Sequence, residues 1–83
     1  MRLTIYSKPG CHLCDEMKDL VRATIANQAD ISIEEIDIST SHELLERYGL
    51  EIPVLMIDGR KAAKYRITRE ELKRLIEGRQ SRP

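Results

Sequence analysis

Cys11 and Cys14 stand where the apolar spacing of the chain changes from alternation to a helical repeat, and that junction constrains the fold more than any other feature. Upstream, Leu3 and Ile5 alternate with polar residues as a short strand, which Ser7-Lys8-Pro9-Gly10 breaks with two strong turn formers. Downstream, the apolar or small positions 13, 17, 20, 21, 24 and 25 fall on one helical face. This predicts an amphipathic helix from Leu13 to about Ala29, ended by the stretch Asn27 to Asp30. If residues 11–14 open that helix, both sulfurs share a face one turn apart, within the roughly 4.4 to 6.8 Å Cα separation that a disulfide requires. One bond that closes and reopens there makes thiol–disulfide exchange the leading chemistry.

Past the helix, Ile31, Ile33, Ile36 and Ile38 give a β-rich stretch whose alternation slips at Glu34-Glu35, the pattern of a bulge or of a strand covered on both faces. Thr40-Ser41-His42-Glu43 reads as a capping box, with Leu44, Leu45 and Tyr48 as the buried side of a short helix closed by Gly49. Tyr48 is expected to pack against Leu44, and His42 to be exposed in the first turn. Ile52 to Ile57 forms a short buried strand ending at the Asp58-Gly59 turn signal, and Lys61 to Arg66 returns as its hairpin partner. Thr68 to Glu71 is a second capping box, with Ile67 and Leu72 as a hydrophobic staple. Leu72, Leu75 and Ile76 face the core from a last helix that stops near Gly78, and Arg79 to Pro83 read as a frayed tail. The order βαβαββα, with one crossover followed by a hairpin, gives a single α/β domain over residues 1–83, a four-stranded mixed sheet flanked by three helices.

At 41% hydrophobic and 34% charged residues, the composition is that of a folded domain, and no stretch is long enough to cross a bilayer. Met1 to Tyr6 lacks the basic start and apolar run of a secretory signal, so a reducing cytoplasm is the expected compartment. Two cysteines in that setting point to redox or metal chemistry rather than cross-linking. Zero net charge hides a division: residues 1–59 hold five basic and eleven acidic side chains, residues 60–83 nine and three. Such a basic segment is able to steer an acidic partner or anionic substrate. Tyr65 is its one aromatic residue, too little stacking surface for a nucleic-acid site.

For exchange near neutral pH one sulfur must be a thiolate, and Cys11, at the helix start beside unsatisfied N–H groups, is the better-placed nucleophile. Cys14, a turn inside and less accessible, is the resolving thiol. Lys8 and a protonated His12 favour the Cys11 thiolate, while Asp15 and Glu16 oppose it. The net expectation is a Cys11 pKa below that of a free thiol. A different reading is a metal or iron–sulfur carrier that bridges two copies through Cys11, since a single chain lacks the four ligands of a structural zinc site.

Lys8-Pro9-Gly10-Cys11-His12-Leu13-Cys14 after a strand, with Tyr48-Gly49, Ile52-Pro53-Val54 and Asp58-Gly59 later, resembles the glutaredoxin and thioredoxin superfamily, in particular its compact glutaredoxin-like branch. The likeness implies a thioredoxin fold and a dithiol–disulfide oxidoreductase. It also implies a cis peptide bond at Pro53 that leaves the Ile52 backbone free to pair with an incoming peptide or glutathione. Lys8 matches a position that contacts a glutathione carboxylate, and His12 is taken with Lys8, Ile52 and Pro53 as a candidate substrate-binding residue. No bound cofactor is implied, glutathione is a possible co-substrate, and a monomer is expected, reducing a protein or low-molecular-weight disulfide. One departure stands out: glutathione-binding glutaredoxins usually carry a Gly-Gly pair, a small residue and Asp at the start of the last helix, where this chain has Ile67-Thr68-Arg69-Glu70. The electron donor is therefore left open between glutathione and a thioredoxin-reductase-type enzyme.

Overall fold

Leu3 and Ile5, the alternating residues of the first strand, have no exposed surface in the computed structural model, which describes residues 1–80 of the 83. The elements run β1 (Arg2–Ser7), α1 (His12–Ile25), β2 (Ser32–Asp37), a 3-10 turn (Ile38–Thr40), α2 (His42–Tyr48), β3 (Val54–Ile57), β4 (Arg60–Lys64) and α3 (Arg69–Gln80). The sheet order is β2-β1-β3-β4, with β1 parallel to β2 and antiparallel to β3, and β3 antiparallel to β4. This is the mixed sheet that the element order predicts and the architecture that the resemblance implies.

Strand pleating sends alternate residues of β1 to opposite faces. Leu3 and Ile5 meet Met17, Val21 and Ile25 of α1 and Leu72 and Ile76 of α3, with Leu55 and Ile57 beside them from β3. Tyr6 points to the other face, where Tyr48 of α2 stacks on it at 4.6 Å between ring centroids and 13° between planes. Tyr48 thus sets a flat ring on a flat ring of the sheet, a partner that its helical spacing does not announce.

Local expectations shift in five places. Helix α1 ends at Ile25 with Ala26 as its cap, about one turn early, because Gln28 donates its N–H back to Ile25 at 2.9 Å and a second turn carries the chain into β2. Strand β2 is straight: Ile33 pairs across from Leu3 and Ile36 from Tyr6, so the slip at Glu34-Glu35 sends isoleucines to both faces without a bulge. The irregularity lies between β3 and β4, where Leu55 faces Ala63 and Met56 faces Lys61, leaving Ala62 without a counterpart. Ser41, not Thr40, caps α2 through Leu44 N–H, so Glu43 falls one position short of closing a box. Gly78 does not end α3, which continues to Gln80; the last three residues of the expected tail lie outside the described residues.

Elsewhere the turn chemistry is as read. Asp58 and Gly59 take φ of 48° and 83°, the double left-handed conformation of a tight hairpin. Thr68 and Glu71 exchange hydrogen bonds, Glu71 N–H to Thr68 Oγ1 at 3.1 Å and Thr68 N–H to Glu71 Oε1 at 3.4 Å. Leu72 and Ile76 are buried behind that cap, but Leu75, read as core, is 37% exposed, because only the i, i+4 stripe of α3 reaches α1 and the sheet. Leu72→Ala should accordingly cost about 3 kcal/mol and Leu75→Ala less than about 1 kcal/mol in denaturant unfolding. Equal losses would mean that α3 packs through another face.

Candidate active site

Strand β1 delivers the chain to Lys8-Pro9-Gly10, where Gly10 takes φ of 81° and Cys11 N–H closes the turn on Lys8 C=O at 3.3 Å. A side chain at Gly10 would be strained in that conformation, so glycine is what turns the strand end into a helix start. Cys11 is the N-cap of α1, with extended φ and ψ of −93° and 107°, and its Sγ accepts the N–H of Cys14 at 3.1 Å. Serine or aspartate oxygen normally fills that role; here a sulfur does. Cys11 and Cys14 are disulfide-bonded, with Cα atoms 5.2 Å apart. Cys14 is only 1% exposed on the core stripe of α1, while Cys11 is half-buried. Accessibility thus ranks the two sulfurs in the order expected.

The register of β1 and β3 places the second half of the site. Tyr6 faces Val54, so the cis Ile52–Pro53 bond lies at the end of the sheet from which Lys8 leads to Cys11. Pro53 is buried and Ile52 half-buried. Pro53 C=O accepts the N–H of Tyr65 at 2.8 Å, and the Tyr65 hydroxyl donates to Leu50 C=O at 3.0 Å. Tyr65 therefore ties both ends of the loop carrying the cis bond, and it does so at φ of 67°, rare for a bulky side chain. Nothing in the sequence marks that backbone conformation, and neither Tyr65 nor Leu50 stands out there as a site residue.

Two hollows are lined by residues of the first turns of α1 and the segment before it. One, of about 150 Å³, runs between α1 and the loop before α3, walled by Leu13, Met17, Leu20, Tyr65 and Ile67, with Glu16 and Arg66 also lining it. Leu13, next to Cys14 in the first turn of α1, is the groove's nearest wall to the cysteines in sequence. The other, of about 280 Å³, is polar and includes Lys8, Asp15, Lys18, Glu35 and Asp37. Lys8 is exposed there among three carboxylates rather than projecting alone, and His12 is exposed as the first residue of α1. His42 pairs with Glu46 at 3.1 Å. Among the described residues no group of three or more His, Cys, Asp or Glu side chains converges as a metal site.

Charge beside the cysteines is organised by Lys18. It meets Glu35 at 2.7 Å and Asp15 at 3.3 Å, and Ser7 Oγ donates to Glu35 at 2.8 Å. Hydrogen bonds from Lys18 and then Ser7 hold the Glu35 carboxyl below its ordinary value of 4.5, and Glu35 raises Lys18 above 10.5. The pair also draws Asp15, one of the two acids expected to oppose a Cys11 thiolate, toward a cation. Asp37 is lowered chiefly by the Ser39 hydroxyl.

Because the folded carboxyl of Glu35 is depressed, its contribution to stability is present above pH 4.5 and is lost as pH falls through the folded value. Lys18, raised, contributes below pH 10.5 and loses its contribution as pH climbs through its folded value. Acid titration of thermal stability should thus fall more steeply for wild type than for Glu35→Gln below about pH 4.5. Parallel acid limbs would remove the pair from the account.

Comparison with known proteins agrees with this geometry. The family model described as Glutaredoxin-like domain (DUF836) matches residues 2–77. A curated glutaredoxin-like protein of Dictyostelium discoideum is 27% identical over 77 residues, covering 87% of this chain and 71% of its own length. Among solved structures, a target protein from X. campestris superposes with a TM-score of 0.75 at 27% identity, covering 92% of this chain and 96% of that one. A mutant thioredoxin from Halobacterium salinarum gives a TM-score of 0.63 at 28% identity, covering 93% and 72% respectively.

Proposed function

Because the chain belongs to the glutaredoxin-like domain family, we propose that it is a dithiol–disulfide oxidoreductase that reduces protein or low-molecular-weight disulfides through Cys11 attack and Cys14 resolution. One observation carries the reading: Cys11 caps α1 with its sulfur on the N–H of Cys14, whose own sulfur is buried within bonding reach of it. In the reduced protein the same N–H, reinforced by the positive end of the helix, stabilises a thiolate more than a thiol.

The Cys11 thiolate attacks one sulfur of the substrate disulfide, forming a mixed disulfide and releasing the other substrate sulfur as a thiolate that takes a proton from water. Cys14 then gives up its proton to solvent and attacks Cys11 Sγ. The second substrate thiolate leaves, and the Cys11–Cys14 bond carries the two electrons' worth of oxidation. An external dithiol or a pair of glutathione molecules, supplied directly or through a reductase, returns the protein to the dithiol. No bound cofactor enters this cycle. In this reading Ile52 and Pro53 present backbone to the substrate chain at the same end of the sheet, the exposed His12 meets it at the helix start, and Lys8 contacts a carboxylate.

Reduction of hydroxyethyl disulfide by the wild-type protein with dithiothreitol as donor should fall by at least about a hundredfold in Cys11→Ser. Cys14→Ser, reduced, freed of dithiothreitol and then given hydroxyethyl disulfide, should instead hold a mixed disulfide on Cys11, visible by mass spectrometry. Turnover that survives in Cys11→Ser would overturn the assignment of roles.

A further inference from the structure

Leu50 is 93% exposed, a large apolar side chain standing in water two residues before the cis Ile52–Pro53 bond. Isolated apolar residues on a surface are ordinary, but Leu50 is not isolated. Its carbonyl receives the Tyr65 hydroxyl, the Tyr65 ring is 44% exposed, and beyond it opens the groove of Leu13, Leu20 and Ile67. Tyr65 thus links an apolar strip, bonding the Leu50 backbone at one end and walling the groove that reaches Leu13 at the other. Tyr65 does this in a left-handed conformation, which marks a place where surrounding structure enforces a shape. At about 150 Å³ the groove is smaller than the roughly 300 to 1,000 Å³ of small-molecule sites and suits one branched apolar side chain.

On the β4 side of the strip the neighbouring charges are positive. Lys64 lies 5.5 Å over the Tyr65 ring, and Arg66 and Arg69 are exposed on the loop and helix that follow. Lysines on β4 also guard an edge strand against pairing with another sheet, but Arg66 and Arg69 lie past the strand, where that need does not account for them. On the opposite wall Glu16 of α1 gives the groove a direction, negative toward α1 and positive toward β4.

Resting on the redox reading above, we infer that this strip is the docking surface for an extended acidic segment of a protein disulfide. An apolar residue beside the substrate cysteine seats between Leu13 and Ile67, and acidic residues lie toward Lys64 and Arg66. The occupant is a polypeptide rather than a compact thiol such as glutathione, because the strip runs well past the cysteines and is apolar where Ile67 stands.

Two symmetric synthetic peptide disulfides test this, one with leucine and glutamates flanking its cysteine and the other with leucine and lysines, alongside hydroxyethyl disulfide. Wild type should reduce the acidic peptide with kcat/KM roughly tenfold above the basic one at low salt. The gap should close in about 0.5 M sodium chloride, as screening shortens the reach of the charges. Lys64→Glu combined with Arg66→Glu should invert the preference, and Leu50→Ser should slow both peptides relative to hydroxyethyl disulfide. Equal rates for the two peptides in wild type, or an unchanged ratio in the double variant, would overturn the inference. A second measurement is independent of turnover: the acidic peptide with serine in place of cysteine is titrated into the oxidised protein and followed by amide chemical shifts. Shifts centred on Leu50, Tyr65 and Arg66 support the docking surface even if hydroxyethyl disulfide is not reduced, which would sink the redox reading alone. Shifts elsewhere, or none, would sink the docking surface even if turnover is normal.

Discussion

The donation of the Cys14 N–H to Cys11 Sγ is the interaction on which the rest of the site depends. Four N–H groups at the start of any helix lack partners within it, and the residue that caps them is held against the first turn. Using cysteine as the cap puts a polarisable sulfur at the positive end of α1 and brings it to the sulfur one turn on. In the proposed function, capping and redox chemistry would therefore share one contact. A thiolate at Cys11 is a better acceptor for that N–H than a thiol, so reduction need not open the helix start.

That contact is held in place from below. Cys14 opens the buried stripe of α1 that continues through Met17, Val21 and Ile25 onto Leu3 and Ile5 of β1, so the second sulfur is fixed by the same packing that fixes the helix. Gly10 supplies the turn between strand and helix, and the β1–β3 register brings the Ile52–Pro53 bond to the same end of the sheet. Tyr65 then joins the Leu50–Pro53 loop to the groove beside Leu13 through two hydrogen bonds. Lys18, bridging Asp15 of α1 and Glu35 of β2, neutralises acid near the cap without adding a free cation.

Much of this is legible in the sequence because it rests on local rules. Alternation at Leu3 and Ile5, the helical repeat from Leu13, the Asp58-Gly59 turn and the Thr68–Glu71 box each encode their element within a few residues. The failures share a physical cause, which is that tertiary partners decide them. The slip at Glu34-Glu35 left β2 open between a bulge and a strand covered on both faces, and the pairing with β1 decides against the bulge, with isoleucines sent to both faces. Leu75 fits the helical repeat but lies off the narrow stripe that α3 presents. Tyr48 finds Tyr6 across the sheet, forty-two positions away in sequence, where no local pattern reaches. Of the candidate site, the Cys11–Cys14 pairing was readable from spacing and the cis bond at Pro53 from resemblance, whereas the place of Tyr65 was not, since it lies in a backbone angle and in hydrogen bonds to a distant loop.

The central claim is that the capping sulfur is held as a thiolate near neutral pH. Alkylation of the reduced wild-type protein by iodoacetamide, followed by mass spectrometry across a pH series, measures it at Cys11 directly. The account predicts a midpoint for Cys11 at least about one pH unit below the roughly 8.5 of a free cysteine, with Cys14 reacting much more slowly. A Cys11 midpoint at the free-cysteine value, or faster reaction at Cys14, would contradict it.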